Sequence, residues 1–359
     1  MQTRDDGHRK VVCGVIGAGW WGTYAHLPAL LSHPRAQLVA IQTRDPDAAA
    51  KISRDFNIPR TFTSADELIA QEDLEAVVIS SAPRLHFTQA RAALERGLHV
   101  LLEKPMTFTA AEARQLVELA QSKDLHLISC FPWHHTRHGQ EARRLIAQGE
   151  IGEPRMISVL MTNPVDHLIR GATTFPTHGR PYIEPLAETY SDPKVAGGGQ
   201  IYTQVAHVAG YLTFLTGARP AQVFARFHND GCRLDIFDVL NIELENGCLA
   251  SVASTGATPL ENRVYEVRVY GTSACLFMEL WAGTMTLVRR EGGETRYPDH
   301  APTEIYPERA PAQNLVDSIL GLAEEVSPGT LGLASMEVVE SACDSARTGK
   351  NVSLREARR

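Results

Sequence analysis

The sequence predicts an α/β chain: a doubly wound parallel sheet at the amino-terminal end, then an α+β domain built on an antiparallel sheet. Three observations carry this. Residues 11 to about 130 alternate short apolar runs with helix-like stretches. The texture changes after residue 150, where Pro- and Gly-rich loops give way to closely spaced alternating strands. The chain has 359 residues and is 43% hydrophobic, which suits two cores better than one.

The apolar runs Val11–Ile16, Leu38–Gln42, Ala76–Ser80, His99–Leu102 and Leu125–Cys130 read as strands. Between them lie helical patterns at Gly22–Ser32, Asp45–Phe56, Leu85–Arg96 and Ala110–Lys123. Strand and helix in repetition imply parallel strands with crossover helices, and nearly continuous apolar strands imply a sheet covered on both faces. Six further strands follow at Ala221–Phe227, Asp238–Leu244, Leu249–Ser254, Val264–Tyr270, Ala274–Glu279 and Thr284–Arg289. Asn246-Gly247 joins the second and third of these as a hairpin turn. Helices expected at Ala312–Glu325 and Ala334–Ala346 would cover one face of that sheet. The boundary is placed at 1–130 and 131–359.

Composition narrows the function. Net charge is 35 − 42 = −7, against a nucleic-acid partner, because phosphate binding needs clustered Lys and Arg. No run of 18 or more apolar residues predicts a membrane span. Met1–Lys10 is polar and lacks the apolar core of a secretory signal, so a cytoplasmic protein is expected. Cys13, Cys130, Cys232, Cys248, Cys275 and Cys343 form no C-x-x-C pair and read as reduced thiols.

Gly17-Ala18-Gly19-Trp20-Trp21-Gly22 is a G-x-G-x-x-G between the first strand and the first helix. Gly17 permits the tight turn, Gly19 lets backbone approach a pyrophosphate, and Gly22 lets helix pack on strand. The helix N-terminus offers its N–H groups and positive dipole end to phosphate. This is the signature of a Rossmann dinucleotide site. The end of the second strand reads Gln42-Thr43-Arg44-Asp45. Thr43 occupies the position where an acidic residue would bind a ribose 2′-hydroxyl, and Arg44 follows. A hydroxyl plus a guanidinium suits a 2′-phosphate, which favours NADP over NAD. The competing reading makes Asp45 the N-cap of the next helix and Arg44 a loop cation.

In combination, further segments resemble the Gfo/Idh/MocA oxidoreductases over nearly the whole chain. They are GVIGAGWWG, Ser81-Ala82-Pro83-Arg84-Leu85-His86, the run Gly97 to Pro105 ending in Glu103-Lys104-Pro105, Gly149 to Pro154, and Gly197-Gly198-Gly199. The resemblance implies a Rossmann domain, a second domain with a large, mostly antiparallel open sheet, and Lys104 as the catalytic lysine. It places Ser81, Ala82, Pro83, His86 and Glu103 around the cofactor. His207 aligns with the family's histidine. The usual motif is G-G-G-x-x-x-D-x-G-x-H; here Thr203 replaces the Asp and Val205 a Gly.

The chemistry asked of Lys104 is proton transfer. Free lysine is a poor base at neutral pH, whereas burial and nearby positive charge make it a better one. As an ammonium it would protonate a developing alkoxide. His207 would hydrogen-bond the reacting oxygen and share the proton. Thr203, four residues earlier, would face the same way, supplying a hydroxyl in place of a negative charge. In the segment Phe131 to His138, Trp133 is expected to stack on a sugar face and His134 or His135 to bind hydroxyls. Trp20 and Trp21 are expected over the phosphate end of the cofactor. His134 and His138 have the spacing of a helical metal pair but no third ligand at clear spacing, so no metal is expected.

The leading expectation is therefore an NAD(P)-dependent dehydrogenase or reductase of a sugar, glycoside or inositol-like polyol, assembled as a homodimer or homotetramer through the open sheet face. One alternative is a glycoside hydrolase that oxidises and re-reduces its sugar with tightly held cofactor. Another is a non-catalytic dinucleotide sensor; such proteins tend to lose the lysine that this chain keeps.

Overall fold

A computed structural model describes residues 9–173 and 181–354. The amino-terminal octapeptide and the stretch 174–180 of the long loop lie outside the described residues. The chain divides into two compact units. The first holds the residues up to Cys130 together with 181–186 and Glu308–Gly332; the second holds the remainder.

In the first unit six parallel strands stand in the order β3-β2-β1-β4-β5-β6. They are β1 (Val11–Ile16), β2 (Ala36–Gln42), β3 (Arg60–Phe62), β4 (Ala76–Ile79), β5 (His99–Leu102) and β6 (Leu127–Ser129). The reversal of direction at β1 and β4 is the point where such sheets bind ligands. The crossover helices are α1 (Leu27–Ser32), α2 (Pro46–Phe56), α3 (Ala65–Ile69), α4 (His86–Arg96) and α5 (Ala110–Ser122). Helical backbone already begins at Trp20 and passes through a π-turn at Gly22–His26 before α1. Capping fixes two of the starts. Asp45 accepts the backbone N–H groups of Asp47 and Ala48, and Thr109 and Glu112 form a capping box.

The second unit is built on a nine-stranded sheet. Its strands are β7 (Pro154–Thr162), β8 (Pro220–His228), β9 (Phe237–Leu244), β10 (Leu249–Thr255), β11 (Val264–Gly271), β12 (Ala274–Glu279), β13 (Thr284–Arg289), β14 (Glu294–Arg296) and β15 (Val352–Ser353). All neighbours are antiparallel except β7 and β10. The β9–β10 hairpin turns at Asn246-Gly247: Gly247 takes φ +81°, and the Asn246 side chain accepts the Cys248 N–H. Its helices include α6 (Arg137–Ala147) and α7 (Ala206–Thr216); later in the chain come α8 (Ala310–Ile319), which belongs to the first unit, and α9 (Gly329–Thr348).

Two expectations need correction. The helix expected at Ala312–Glu325 stops at Ile319, where Gly321 adopts φ +67°. It also does not cover the antiparallel sheet: Ala312, Leu315 and Val316 of α8 join the apolar core of the first unit with Val15, Leu30, Ile41 and Leu101. The apolar face of α8 was legible, but not the core it fills. α9 does serve the second unit. Its Ser345 hydroxyl accepts the Ala225 N–H of β8, and its Ser335 hydroxyl donates to the Ala206 carbonyl of α7. The strand β7 had not been expected, because it opens on Pro154 within a turn-like glycine segment. Proline is tolerated there as the first residue of a strand.

Candidate active site

The glycine loop fits a dinucleotide phosphate for reasons visible in its packing. Gly17 has φ +80°, and a Cβ there would lie 2.4 Å from the backbone nitrogen of Ser81. Only glycine can make that turn and bring β1's end against β4's end. At Gly22 a Cβ would stand 2.8 Å from the Gly17 carbonyl. At Gly19, by contrast, a Cβ would meet nothing within 4 Å. The backbone at Gly19 thus opens on free space where the helix begins, the arrangement a pyrophosphate requires.

Gln42, not anticipated from sequence, pins this loop. The Gly17 N–H donates to both its carbonyl and its side-chain Oε1, the Ala18 N–H to the same carbonyl, and its Nε2 to the Thr63 carbonyl. On the other side the Ser80 hydroxyl donates to the Gly17 carbonyl. Beyond Gln42, Thr43 is half-buried and Arg44 exposed. The Asp45 carboxylate accepts the Asp47 and Ala48 N–H groups as the cap of α2.

Ser81, Ala82 and Pro83 are partly exposed after β4, with the Ser81 hydroxyl donated to Gln89. His86 departs from expectation. Its ring is buried, with Nδ1 2.8 Å from the Pro105 carbonyl and Nε2 3.0 Å from that of Ser81. It staples two loops together and turns no ring nitrogen toward a cofactor. Burial pushes its proton affinity down, against those carbonyls.

At the end of β5, Glu103 is buried and Lys104 half-buried. The Glu103 carboxylate accepts the Trp21 indole N–H at 2.7 Å, lies 2.9 Å from His26 Nε2, and accepts the Lys104 backbone N–H at 3.1 Å. Burial alone would raise this carboxyl. The His26 hydrogen bond and charge, the Lys104 charge and the Cys130 thiol overcome it and hold the group at about 2. Burial lowers the Lys104 ammonium, while Glu103 partly restores it. Cys130 is pushed well up, by burial first and then by Glu103. His26, Glu103 and Cys130 bring three ligand-type atoms within 4.8 Å of one another. Two hydrogen bonds already converge on one Glu103 oxygen and the thiol holds its proton, so the group is a hydrogen-bonded cluster.

This cluster also corrects the reading of the tryptophans. Trp21 directs its polar edge at Glu103 and packs on Tyr24 at 5.5 Å; Trp20 is 8% exposed and lies 5.3 Å from Trp21. Trp20 is buried in the helix packing, while Trp21 is half-buried and spends its indole N–H on Glu103.

In the second unit, His207 on α7 is 3% exposed and meets Trp133 edge to face at 5.1 Å. The glycine run before it is anchored by Asp235, whose carboxylate accepts the N–H groups of Gly199 and Ile201. A Cβ on Gly199 would lie 2.0 Å from the Asp235 carbonyl, which is why glycine stands there. Thr203 sits in a π-turn, Ile201–Val205, and donates its hydroxyl to the Gly199 carbonyl. With its one proton used there, it can serve another group only as an acceptor.

Trp133 and His134 do not offer the open faces expected of them. Trp133 is 2% exposed and enclosed by His207, Tyr265, Trp281 and Tyr306. His134 is buried, stacked on Phe131 at 4.9 Å, and burial drives it well below the usual histidine range. An aromatic residue after a strand reads equally well as platform or as core, and here the core wins. His135 remains partly accessible, and burial lowers it to about 3, so it is neutral at physiological pH. Arg170 forms surface ion pairs with Asp166 and with Asp230.

Two family models match this chain. The oxidoreductase family with an NAD-binding Rossmann fold matches residues 11–131, and the GFO/IDH/MocA C-terminal domain matches 140–277. The chain belongs to the GFO/IDH/MocA oxidoreductase family. Among its relatives is a dTDP-3,4-didehydro-2,6-dideoxy-alpha-D-glucose 3-reductase of Streptomyces antibioticus, 36% identical over 42% of this chain and 46% of that protein. A 1,5-anhydro-D-fructose reductase of Ensifer adhaerens is 26% identical over 88% of this chain and 90% of that one. The chain spans about half the length of some curated relatives that it matches. An oxidoreductase domain protein from Kribbella flavida has a similar fold at TM-score 0.82, with 21% identity over 96% of this chain and 99% of that one.

Replacing Gly17 by Ala puts a methyl group into the Ser81 backbone at a left-handed φ. The variant is expected to lose more than about 1 kcal/mol of stability in denaturant unfolding and to lose dinucleotide binding in calorimetry. Wild-type affinity in a folded Gly17→Ala protein would contradict this account of the loop.

Proposed function

We propose that this protein is an NAD(P)-dependent oxidoreductase that interconverts a hydroxyl and a keto group on a carbohydrate or polyol. The observation that carries the reading is Lys104. It follows β5 by two residues, on the same sheet edge as the glycine loop, half-buried, with its proton affinity lowered by burial. The loop of Gly17, Gly19 and Gly22 would hold a nicotinamide dinucleotide, which would supply or accept the hydride when bound. Lys104, as neutral amine, takes the alcohol proton in oxidation; as ammonium it returns that proton in reduction. The carbohydrate reading is supported by the two relatives named as reductases of sugar ketones.

Lys104→Ala is expected to lower kcat by about 10²- to 10⁴-fold while nucleotide affinity stays within about twofold. In the wild type, alcohol oxidation should rise with pH through a midpoint below the ordinary lysine value, and ketone reduction should fall across the same range. Near-normal turnover by Lys104→Ala would sink this mechanism.

For the cofactor, Thr43 and Arg44 at the end of β2 support NADP over NAD. Arg44→Ala should weaken NADPH binding about tenfold, the loss of one charge-assisted contact, and leave NADH unchanged. Equal loss for both nucleotides would remove the 2′-phosphate role.

The protein is proposed to act in the cytoplasm as a homo-oligomer. All six cysteines are free, in keeping with a reducing compartment, and no helix among the described residues is long and apolar enough to cross a membrane. On the sheet of the second unit, Met156, Leu160, Val239 and Leu249 are 41–58% exposed, and Met156 pairs directly with Leu249. Such an apolar patch is proposed to be covered by a second copy. Light scattering should give twice the chain mass or a multiple of it, and Leu249→Glu should shift the species toward monomer. A wild-type monomer at micromolar concentration would refute this.

A further inference from the structure

Two side chains and one backbone N–H converge on one carboxylate at the root of Lys104. Trp21 lies within the dinucleotide motif, and His26 follows on the same helix at the end of its π-turn. Trp21 Nε1 and His26 Nε2 reach the same Glu103 oxygen, at 2.7 and 2.9 Å. The other oxygen accepts the backbone N–H of Lys104 at 3.1 Å. His26 is 0% exposed and Glu103 6%, so water offers no substitute for these donors.

We infer that Trp21 and His26 are positioning residues that hold the Glu103 carboxylate in place beside Lys104, so that the helix of the dinucleotide loop governs the lysine's proton affinity. The inference rests on the reading of Lys104 as the proton carrier. Neither aromatic residue touches substrate in this role; both act through Glu103.

The electrostatics give the direction. The ionisable groups around Glu103 are His26, Lys104, Cys130 and His86. Burial opposes ionisation of Glu103, and the hydrogen bond and charge of His26 are the foremost forces that outweigh it. Take the donors away and burial favours the neutral acid. The charge that raises Lys104 then disappears, and the lysine releases its proton at lower pH. Glu103→Gln removes the same charge outright while keeping the shape. All three substitutions should therefore move Lys104 in one direction, and they should not add, because they act through one carboxylate.

The test uses the full chain without added nucleotide. Lys104 is labelled with acetic anhydride across a pH series, and its acetylated peptide is quantified by mass spectrometry. The labelling midpoint should fall by about one pH unit or more in Glu103→Gln, and by a smaller amount in Trp21→Phe and His26→Leu. Adding His26→Leu to Glu103→Gln should move the midpoint no further. His26→Gln, which keeps a donor near the same place, should restore most of the wild-type value. Trp21→Phe keeps a ring in the packing and gives a folded variant if His26→Leu proves unstable. The pH limb of kcat should shift in parallel. Unchanged midpoints in Trp21→Phe and His26→Leu, or equal shifts with and without Glu103, would overturn the inference. A dead Lys104→Ala alongside unshifted midpoints would leave the proposed chemistry standing and remove only this link. An active Lys104→Ala would remove the chemistry itself.

Discussion

A carboxylate buried at the end of a parallel strand must be ringed by donors, or it gives up its charge. Glu103 keeps its charge because the chain brings Trp21 and His26 to one of its oxygens and the Lys104 amide to the other. That requirement fixes much around it. The helix after the glycine loop must run where both its aromatic donors reach β5. β1 must end close enough to β4 for the loop to turn, which the bare Cα of Gly17 allows. The lysine beside Glu103 is then left on the ligand-binding edge of the sheet, with burial working to free its proton.

The same economy of contact appears at the glycine loop. Its N–H groups at Gly17 and Ala18 are spent on Gln42, and its carbonyl at Gly17 on Ser80. These bonds leave the loop rigid before any nucleotide arrives, so little ordering cost remains at binding. The opening over Gly19 is thereby preset. In the second unit the Gly199 turn is fixed by different means, a half-buried Asp235 carboxylate on the N–H groups of Gly199 and Ile201, and this sets the start of the helix that carries His207.

The fold was legible wherever local pattern and final environment agree. The four long strands of the first sheet are buried on both faces and announce themselves as apolar runs; β3, three residues at the sheet edge, carries no such signal. The hairpin at Asn246-Gly247 follows from turn chemistry alone. β7 escaped notice because its neighbours β10 and β11 come about a hundred residues later in the chain. The site was readable as a set of backbone devices, the glycines above all, since these obey local rules. Side-chain roles were less so. Nothing near Trp21 in sequence reveals a partner 82 residues away, and nothing near His86 reveals that two carbonyls claim its ring. Trp133 and His134 look like ligand residues until Tyr265, Trp281 and Phe214 close over them.

The claim on which the rest stands is that the first unit holds a nicotinamide dinucleotide at the Gly17–Gly22 loop. Calorimetric titration of the purified chain with NADPH and NADH tests it most directly, with an aliquot denatured to release any nucleotide already held. One nucleotide per chain is predicted, seen either as binding heat or as released dinucleotide. A properly folded protein that binds neither nucleotide and releases none would contradict the account.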